Sequence, residues 1–211
     1  MAKVDSNLYL HLISLGDIVP LDFTINVKTL NQELDQFKND WKQYNPRKDF
    51  GRDALALTSL NGEMSGINLD SLREYNLENG TNYKEADFAT RTSVANECKT
   101  LHPLLDMFHT MGRSHILKLR KGGFFPPHRD GKISEVSSFR VLVMLDKCTS
   151  KDMVFLLEDQ RIHMEIGRPY VINTRKLHSV FSFVEGSMQC VLNIPLTNEN
   201  YKAVCKHFRE K

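Results

Sequence analysis

Between His115 and Leu196 the chain breaks into short apolar segments bounded by turn residues: His115–Arg120, Ser138–Leu145, Met153–Leu157, Arg161–Ile166, Tyr170–Asn173, Ser179–Val184 and Gln189–Leu196. No helical pattern intervenes between them. Parallel neighbours need long crossovers, usually helical, so such strands pair antiparallel and bury a face against a second layer. The expected fold is mainly β, a double-stranded β-helix (jelly roll, cupin-like) with flanking N-terminal helices. Nothing repeats at a fixed period, which argues against solenoids and propellers. A chain of 211 residues, 41% hydrophobic, holds one substantial core. A single domain is expected, with residues 1–112 as N-terminal helices and support region, 113–196 as jelly-roll core and 197–211 as a C-terminal segment.

Upstream of the strands, Leu30, Leu34, Phe37, Trp41 and Tyr44 recur at helical spacing. The pattern predicts an amphipathic helix over 28–44, with Thr29-x-x-Gln32 as a capping box. Residues 45–95 alternate turns such as Asn61-Gly62 with short pieces such as Ala54-Leu55-Ala56-Leu57, a texture of strands and loops. His102-Pro103, followed by Leu104, Leu105, Phe108 and Met111 and then Gly112, reads as a short helix opened by proline and closed by glycine.

The 28 Lys and Arg nearly cancel the 26 Asp and Glu, and no long run of like charge occurs, so neither a nucleic acid nor a membrane is expected as partner. No stretch approaches the roughly 20 apolar residues of a membrane span. The start Met-Ala-Lys-Val-Asp lacks the apolar core of a signal peptide, and Cys98, Cys148, Cys190 and Cys205 form no C-x-x-C pair. A soluble, cytoplasmic protein with free thiols is the expectation.

The signatures G-x-S-x-G, G-x-G-x-x-G, H-E-x-x-H and the P-loop are absent. What remains is histidine and carboxylate on strands. The segment Phe124-Phe125-Pro126-Pro127-His128-Arg129-Asp130-Gly131 carries a His-x-Asp, and His178 follows 50 residues after His128. In extended backbone i and i+2 share a side, so His128 and Asp130 can face one ion while Arg129 points away. A third ligand from His178 would complete a facial triad with three adjacent open positions, the arrangement that suits Fe(II). About one His-x-acid pattern is expected by chance in such a composition, and His163-Met164-Glu165 is a second one. There His163 and Glu165 alternate with Ile162, Met164 and Ile166, which describes a solvent-facing row. The bland reading of His128 and Asp130 is likewise a pair of incidental surface residues. Arg140 lies in Phe139-Arg140-Val141-Leu142-Val143-Met144-Leu145, apolar on both faces, where a guanidinium needs an anion. Either it binds an oxoacid carboxylate, or it pairs with Glu135 or faces water. Lys118 and Arg120 are weaker candidates that read as surface residues.

Pro-Pro-His128-Arg-Asp130, the Phe-Arg140-Val-Leu strand, Tyr170-Val-Ile-Asn-Thr and Leu-His178-Ser-Val-Phe resemble the double-stranded β-helix core of 2-oxoglutarate oxygenases. The nearest branch is the aspartyl/asparaginyl β-hydroxylase and cis-proline hydroxylase type, and the resemblance covers residues 113–196. It implies Fe(II) held by His128, Asp130 and His178, 2-oxoglutarate and O₂ as co-substrates, and oxoacid contact from Arg140. The implied activity is dioxygenase hydroxylation of a C–H bond in an amino acid or a peptide side chain, with succinate and CO₂ as co-products. One departure stands out: the family commonly places an arginine about ten residues after the distal histidine, and Glu185 to Cys190 holds no basic residue here. Asp130 departs from the halogenase variant, which has a small residue there. Two rival readings stay open, a non-catalytic jelly-roll binding module and a cupin-type metalloenzyme that needs no oxoacid; the latter commonly adds a histidine that Arg129, Gly131 and Lys132 do not supply. Trp41, Tyr44, Arg47, Arg52 and Tyr83 are the N-terminal side chains available for substrate contact.

Overall fold

The computed structural model describes residues 6–64, 66–131 and 136–208. Among them the strands in chain order are β1 (Ile18–Pro20), β2 (Lys42–Gln43), β3 (Arg52–Ala56), β4 (Thr58–Ser59), β5 (Thr90–Arg91), β6 (His115–Leu119), β7 (Phe124–His128), β8 (Ser138–Asp146), β9 (Met153–Leu157), β10 (Gln160–Ile162), β11 (Pro169–Ile172), β12 (His178–Ser182) and β13 (Ser187–Pro195). The α-helices are α1 (Ser6–Ser14), α2 (Val27–Leu34), α3 (Leu72–Asn79), α4 (Ser93–Glu97), α5 (His102–Leu105) and α6 (Asn198–Lys206).

A large sheet ordered β1-β11-β8-β13-β6-β3-β2 faces a smaller one ordered β10-β9-β12-β7, and β4 and β5 form a separate pair. Every ladder is antiparallel. The protein is a jelly roll of the cupin-like, double-stranded β-helix kind, as the strand spacing led one to expect. The central pair shows why β8 is apolar throughout. Phe139, Val141, Val143 and Leu145 pack with Cys190, Leu192 and Ile194 against Leu30, Leu34, Leu104 and Leu105 on the helical side. Leu142 and Met144 turn the other way, onto Phe155, Leu157 and Val180 of the small sheet. A strand covered on both faces has no solvent side to mark with polar residues.

Some local expectations are corrected. Leu30, Leu34 and Phe37 are buried, but α2 ends at Leu34 and passes through a 3₁₀ turn (Asp35–Phe37). The chain then joins the sheet, because Lys42 and Gln43 pair with Ala54 and Asp53. The cap of α2 lies earlier than the Thr29–Gln32 box: Asn26 Oδ1 accepts from Thr29 N at 3.1 Å. Helix α5 stops at Leu105, capped at Asp106, so Gly112 closes no helix. Gly112 is needed for space, since a Cβ there would lie 2.7 Å from the Glu85 carbonyl oxygen. The strand expected over 161–166 ends at Ile162, and Ile166 keeps only an isolated bridge to Met144. The first half of the chain contributes β1 to one edge of the large sheet and β3 and β2 to the other.

All four cysteines are free thiols. No helix among the described residues is long and apolar enough to cross a membrane.

The close approach at Gly112 is directly testable. Gly112→Ala is expected to destabilise the fold by about 1–3 kcal/mol in chemical denaturation, because the backbone of Glu85 must move to admit the methyl group. A loss below ~0.5 kcal/mol would show that the contact is freely relieved.

Candidate metal centre

Strand β7 is the edge of the small sheet and pairs with β12, with His128 directly opposite His178 and Phe125 opposite Val180. Three steps on β7 thus match two on β12, a bulge that falls at Pro126 and Pro127. Proline has no N–H for a ladder and is tolerated on edges and at bulges. The extra residue also changes which way side chains face. Without it, Phe125 and His128, an odd number of residues apart, would point to opposite sides; with it, both line the interior. The two imidazole rings end with centroids 4.2 Å apart.

The strand stops at His128, so Asp130 lies beyond the regular backbone on which the i, i+2 argument rested. It is held instead by its own N–H, which donates to Thr174 O at 2.9 Å, four residues before His178. Gly131 turns the chain away with φ +63°. One ligating atom from each of His128, Asp130 and His178 lies within 4.8 Å of the others, and no other such His/Cys/Asp/Glu cluster occurs among the described residues.

The donor set is prepared for a cation. His128 Nδ1 lies 2.7 Å from Pro126 O, and His178 Nδ1 lies 3.0 Å from Lys176 O. A carbonyl can only accept, so both Nδ1 atoms carry hydrogen and both Nε2 atoms keep a free lone pair. Burial, reinforced by the neighbouring His128, holds the His178 pKa below its usual value and keeps it neutral. Burial alone would raise Asp130, but the charge of Arg140, then the two imidazoles, holds its carboxyl below the ordinary range. Arg140 Nε contacts Asp130 Oδ2 at 3.1 Å, while Oδ1 faces His128 Nε2 at 3.8 Å. One carboxylate oxygen is anchored and the other is left toward the imidazoles. Two imidazole nitrogens and one carboxylate on one side fit a divalent first-row metal.

These residues line one end of a cavity of about 350 Å³ between the sheets. Its walls also include Arg113, Glu85, His115, Gln189, Arg175 and Tyr44. Glu85 receives Arg113 Nε and Nη2 at 3.0 and 2.8 Å and Asn193 Nδ2 at 2.9 Å. Against the opposing effect of burial, this pairing holds the Glu85 carboxyl at about 2. Burial and the Arg113 charge push His115 down to about 3, and its Nε2 lies 2.6 Å from Asn68 O. Gln189 is 2% exposed, and its Oε1 has no hydrogen-bond partner among the described residues.

Arg140 does line the cavity, and its partner is Asp130; Glu135 lies outside the described residues, as does Lys132. His163 and Glu165 are exposed, as a solvent-facing row should be. Lys118 Nζ sits 3.9 Å over the Trp41 ring, and Arg120 pairs with Asp49, both away from the cavity. Arg47 is engaged by Asp70 and Glu78, Arg52 is buried among the rings of Tyr44, Phe50 and Phe125, and Tyr83 packs on Phe88. Of the N-terminal candidates only Tyr44 reaches the cavity. Sequence reasoning missed Glu85, Arg113, His115, Arg175 and Gln189. For Gln189 a signal existed: Ser187, Gln189 and Asn193 alternate with Cys190, Leu192 and Ile194 along β13, a polar row on a buried strand.

No family model and no curated protein sequence matches the chain. Among solved structures, a prolyl-4-hydroxylase from Pseudomonas putida is similar, with 8% identity, a TM-score of 0.50 and coverage of 92% of this chain and 99% of that one. An oxidoreductase of the 2OG-Fe(II) oxygenase family from Burkholderia pseudomallei gives 12% identity, a TM-score of 0.46 and coverage of 92% and 91%. KdgF from Halomonas sp. gives 11% identity, a TM-score of 0.38 and coverage of 84% and 96%. At this identity the hydroxylase match speaks for the fold alone.

The Glu85–Arg113 pair, with Arg113 buried and Glu85 half-buried, gives a pH signature. A carboxyl whose folded pKa lies below its unfolded value stabilises above the unfolded pKa, and this is lost as pH falls through the folded one. Glu85→Gln is expected to cost about 2 kcal/mol at pH 7, a figure reduced because the Glu85 side chain is partly exposed. The gap to wild type should close between about pH 4.5 and pH 2. A gap that stays constant over that range in urea titrations would contradict the pairing.

Proposed function

We propose that the protein is an Fe(II)- and 2-oxoglutarate-dependent dioxygenase that hydroxylates a C–H bond of an amino acid or a peptide side chain. The observation that carries this reading is the convergence of His128, Asp130 and His178, both histidines with Nε2 free, at the end of a cavity lined by arginine. His128, Asp130 and His178 would hold the iron. When bound, iron and the oxoacid supply the oxidising chemistry by activating O₂, with succinate and CO₂ as co-products.

The chain's own residues orient and enclose. The Pro126 and Lys176 carbonyls fix the imidazoles, and Arg140 steers Asp130 through Oδ2. With its Nε so engaged, Arg140 keeps its Nη groups, of which Nη1 has only a 3.4 Å contact to Ser138 Oγ. They are the natural grip for an oxoacid carboxylate. Gln189, eleven residues after His178, stands close to where related enzymes carry an arginine. Its amide offers a neutral donor to the same dianion. A branch of the oxygenase superfamily without an arginine at the position after the distal histidine is the reading these residues support. The cupin-type alternative is disfavoured because no third histidine joins the cluster among the described residues.

Succinate formation from 2-oxoglutarate by anaerobically iron-loaded protein, on admission of O₂, tests the proposal. Slow turnover without substrate is expected for wild type, and none for His128→Ala or Asp130→Ala. Equal turnover by all three, or none together with no Fe(II)-dependent binding of 2-oxoglutarate, would overturn it. Arg140→Gln is expected to weaken 2-oxoglutarate binding by about tenfold or more while Fe(II) binding persists. Unchanged affinity would remove Arg140 from the co-substrate site.

A further inference from the structure

Arg175 occupies the turn between β11 and β12 and lines the cavity beside Asp130, Gly131 and Arg140. The three cavity arginines differ in one respect. Arg113 is paired with Glu85 and Arg140 with Asp130, whereas Arg175 makes no close ion pair among the described residues and only shares the charge of Asp130, which Arg140 already engages. Its neighbour Lys176 turns outward to Asp17 at 2.6 Å, so the turn sends one cation to a partner and one to the cavity.

The Arg175 guanidinium is held in place by a hydrogen bond to the Tyr9 side chain. It lies 5.9 Å from the centroid of the Tyr9 ring, and Tyr9 itself is fixed by donating its hydroxyl to Asn173 Oδ1 at 2.7 Å. Gly131 leaves the guanidinium the volume that any Cβ would fill. A long, flexible side chain braced by an aromatic ring and a glycine has lost much of its freedom before a ligand arrives, which favours binding. A half-buried cation that must share its nearby carboxylate with a second arginine is under-compensated, and that cost is relieved by an anion entering the cavity.

The charges leave a place for one further carboxylate. Glu85 neutralises Arg113. A metal dication set against Asp130, together with Arg140 and Arg175, leaves three net positive charges. The 2-oxoglutarate dianion offsets two. We propose, resting on the oxygenase reading, that Arg175 is the specificity-determining residue for the primary substrate and grips the carboxylate of a small carboxylic acid such as a free amino acid. The guanidinium fork matches a planar carboxylate with two parallel hydrogen bonds. A cavity of about 350 Å³ shared with the oxoacid suits a small molecule.

The test uses the full chain loaded with Zn(II) in place of Fe(II), so that nothing turns over, and reads binding by calorimetry. Affinity for 2-oxoglutarate is measured first, and the loaded protein is then titrated with free amino acids and with their carboxamides. At least one amino acid should bind and its carboxamide should not. Arg175→Gln should weaken that binding by about tenfold or more while 2-oxoglutarate affinity stays within about twofold of wild type. Lys202→Gln, on the exposed side of α6, should behave as wild type. Retained 2-oxoglutarate binding also shows that each variant is folded. The inference is overturned if carboxamides bind equally, if Arg175→Gln binds amino acids normally, if it loses 2-oxoglutarate affinity in step, or if no amino acid binds. Absence of metal-dependent 2-oxoglutarate binding in wild type would instead strike at the oxygenase reading beneath it.

Discussion

The antiparallel pairing of β7 with β12 sets His128 opposite His178, and the rest of the site is arranged around that cross-strand contact. The pairing works only because one extra residue is absorbed at Pro126 and Pro127, on an edge strand where no ladder hydrogen bond is lost. The bulge turns His128 inward beside Phe125, and the turn at Gly131 lets Asp130 dock its N–H on Thr174 O. Two chain segments distant in sequence are thereby locked together twice, once by strand register and once by a single backbone hydrogen bond. Each histidine then uses the carbonyl two residues before it to settle its tautomer. The same device occurs on both strands, and it leaves both Nε2 atoms directed to the same place.

The large sheet supplies the opposite wall, and its two faces have different duties. One face, with Phe139, Val141, Leu192 and Ile194, is sealed under the helices and carries the hydrophobic stabilisation. The inner face is apolar at its far end, where Leu142, Met144 and Ile172 meet Phe155 and Val180. Toward His128, Asp130 and His178 it becomes polar, with Arg140, Asn193 and His115. A jelly roll without a ligand to bind would be expected to fill this end with side chains. Here the end is kept open by charges that pair, Glu85 with Arg113 and Asp130 with Arg140, and by an amide, Gln189, that does not.

Much of this was legible in the amino-acid order. The strands from β6 to β13 announced themselves because each is a short apolar run between turn residues, and antiparallel pairing followed from the absence of helices between them. The triad was legible as residue types and spacing. Its geometry was not, since the bulge depends on the pairing partner and the docking of Asp130 on Thr174 is a long-range bond. Periodicity alone carries α2 too far, because it continues through Trp41 and Tyr44, where sheet pairing of Lys42 and Gln43 takes over. Glu85 and Arg113 were invisible as a pair, because the first lies in a turn-rich stretch with no period and the second just before β6. Arg175 was passed over for a similar reason: nothing local distinguishes it from Lys176, and only the fold sends one inward and the other out.

The central claim is that two imidazoles and one carboxylate hold iron at the end of this cavity. X-ray absorption at the iron edge, on anaerobically Fe(II)-loaded protein before and after adding 2-oxoglutarate, tests it most directly. The account predicts a six-coordinate site of nitrogen and oxygen donors with two imidazoles and no sulfur, in which the oxoacid replaces water and which disappears in His178→Ala. Iron bound through sulfur, or a spectrum unaltered by His178→Ala, would contradict it.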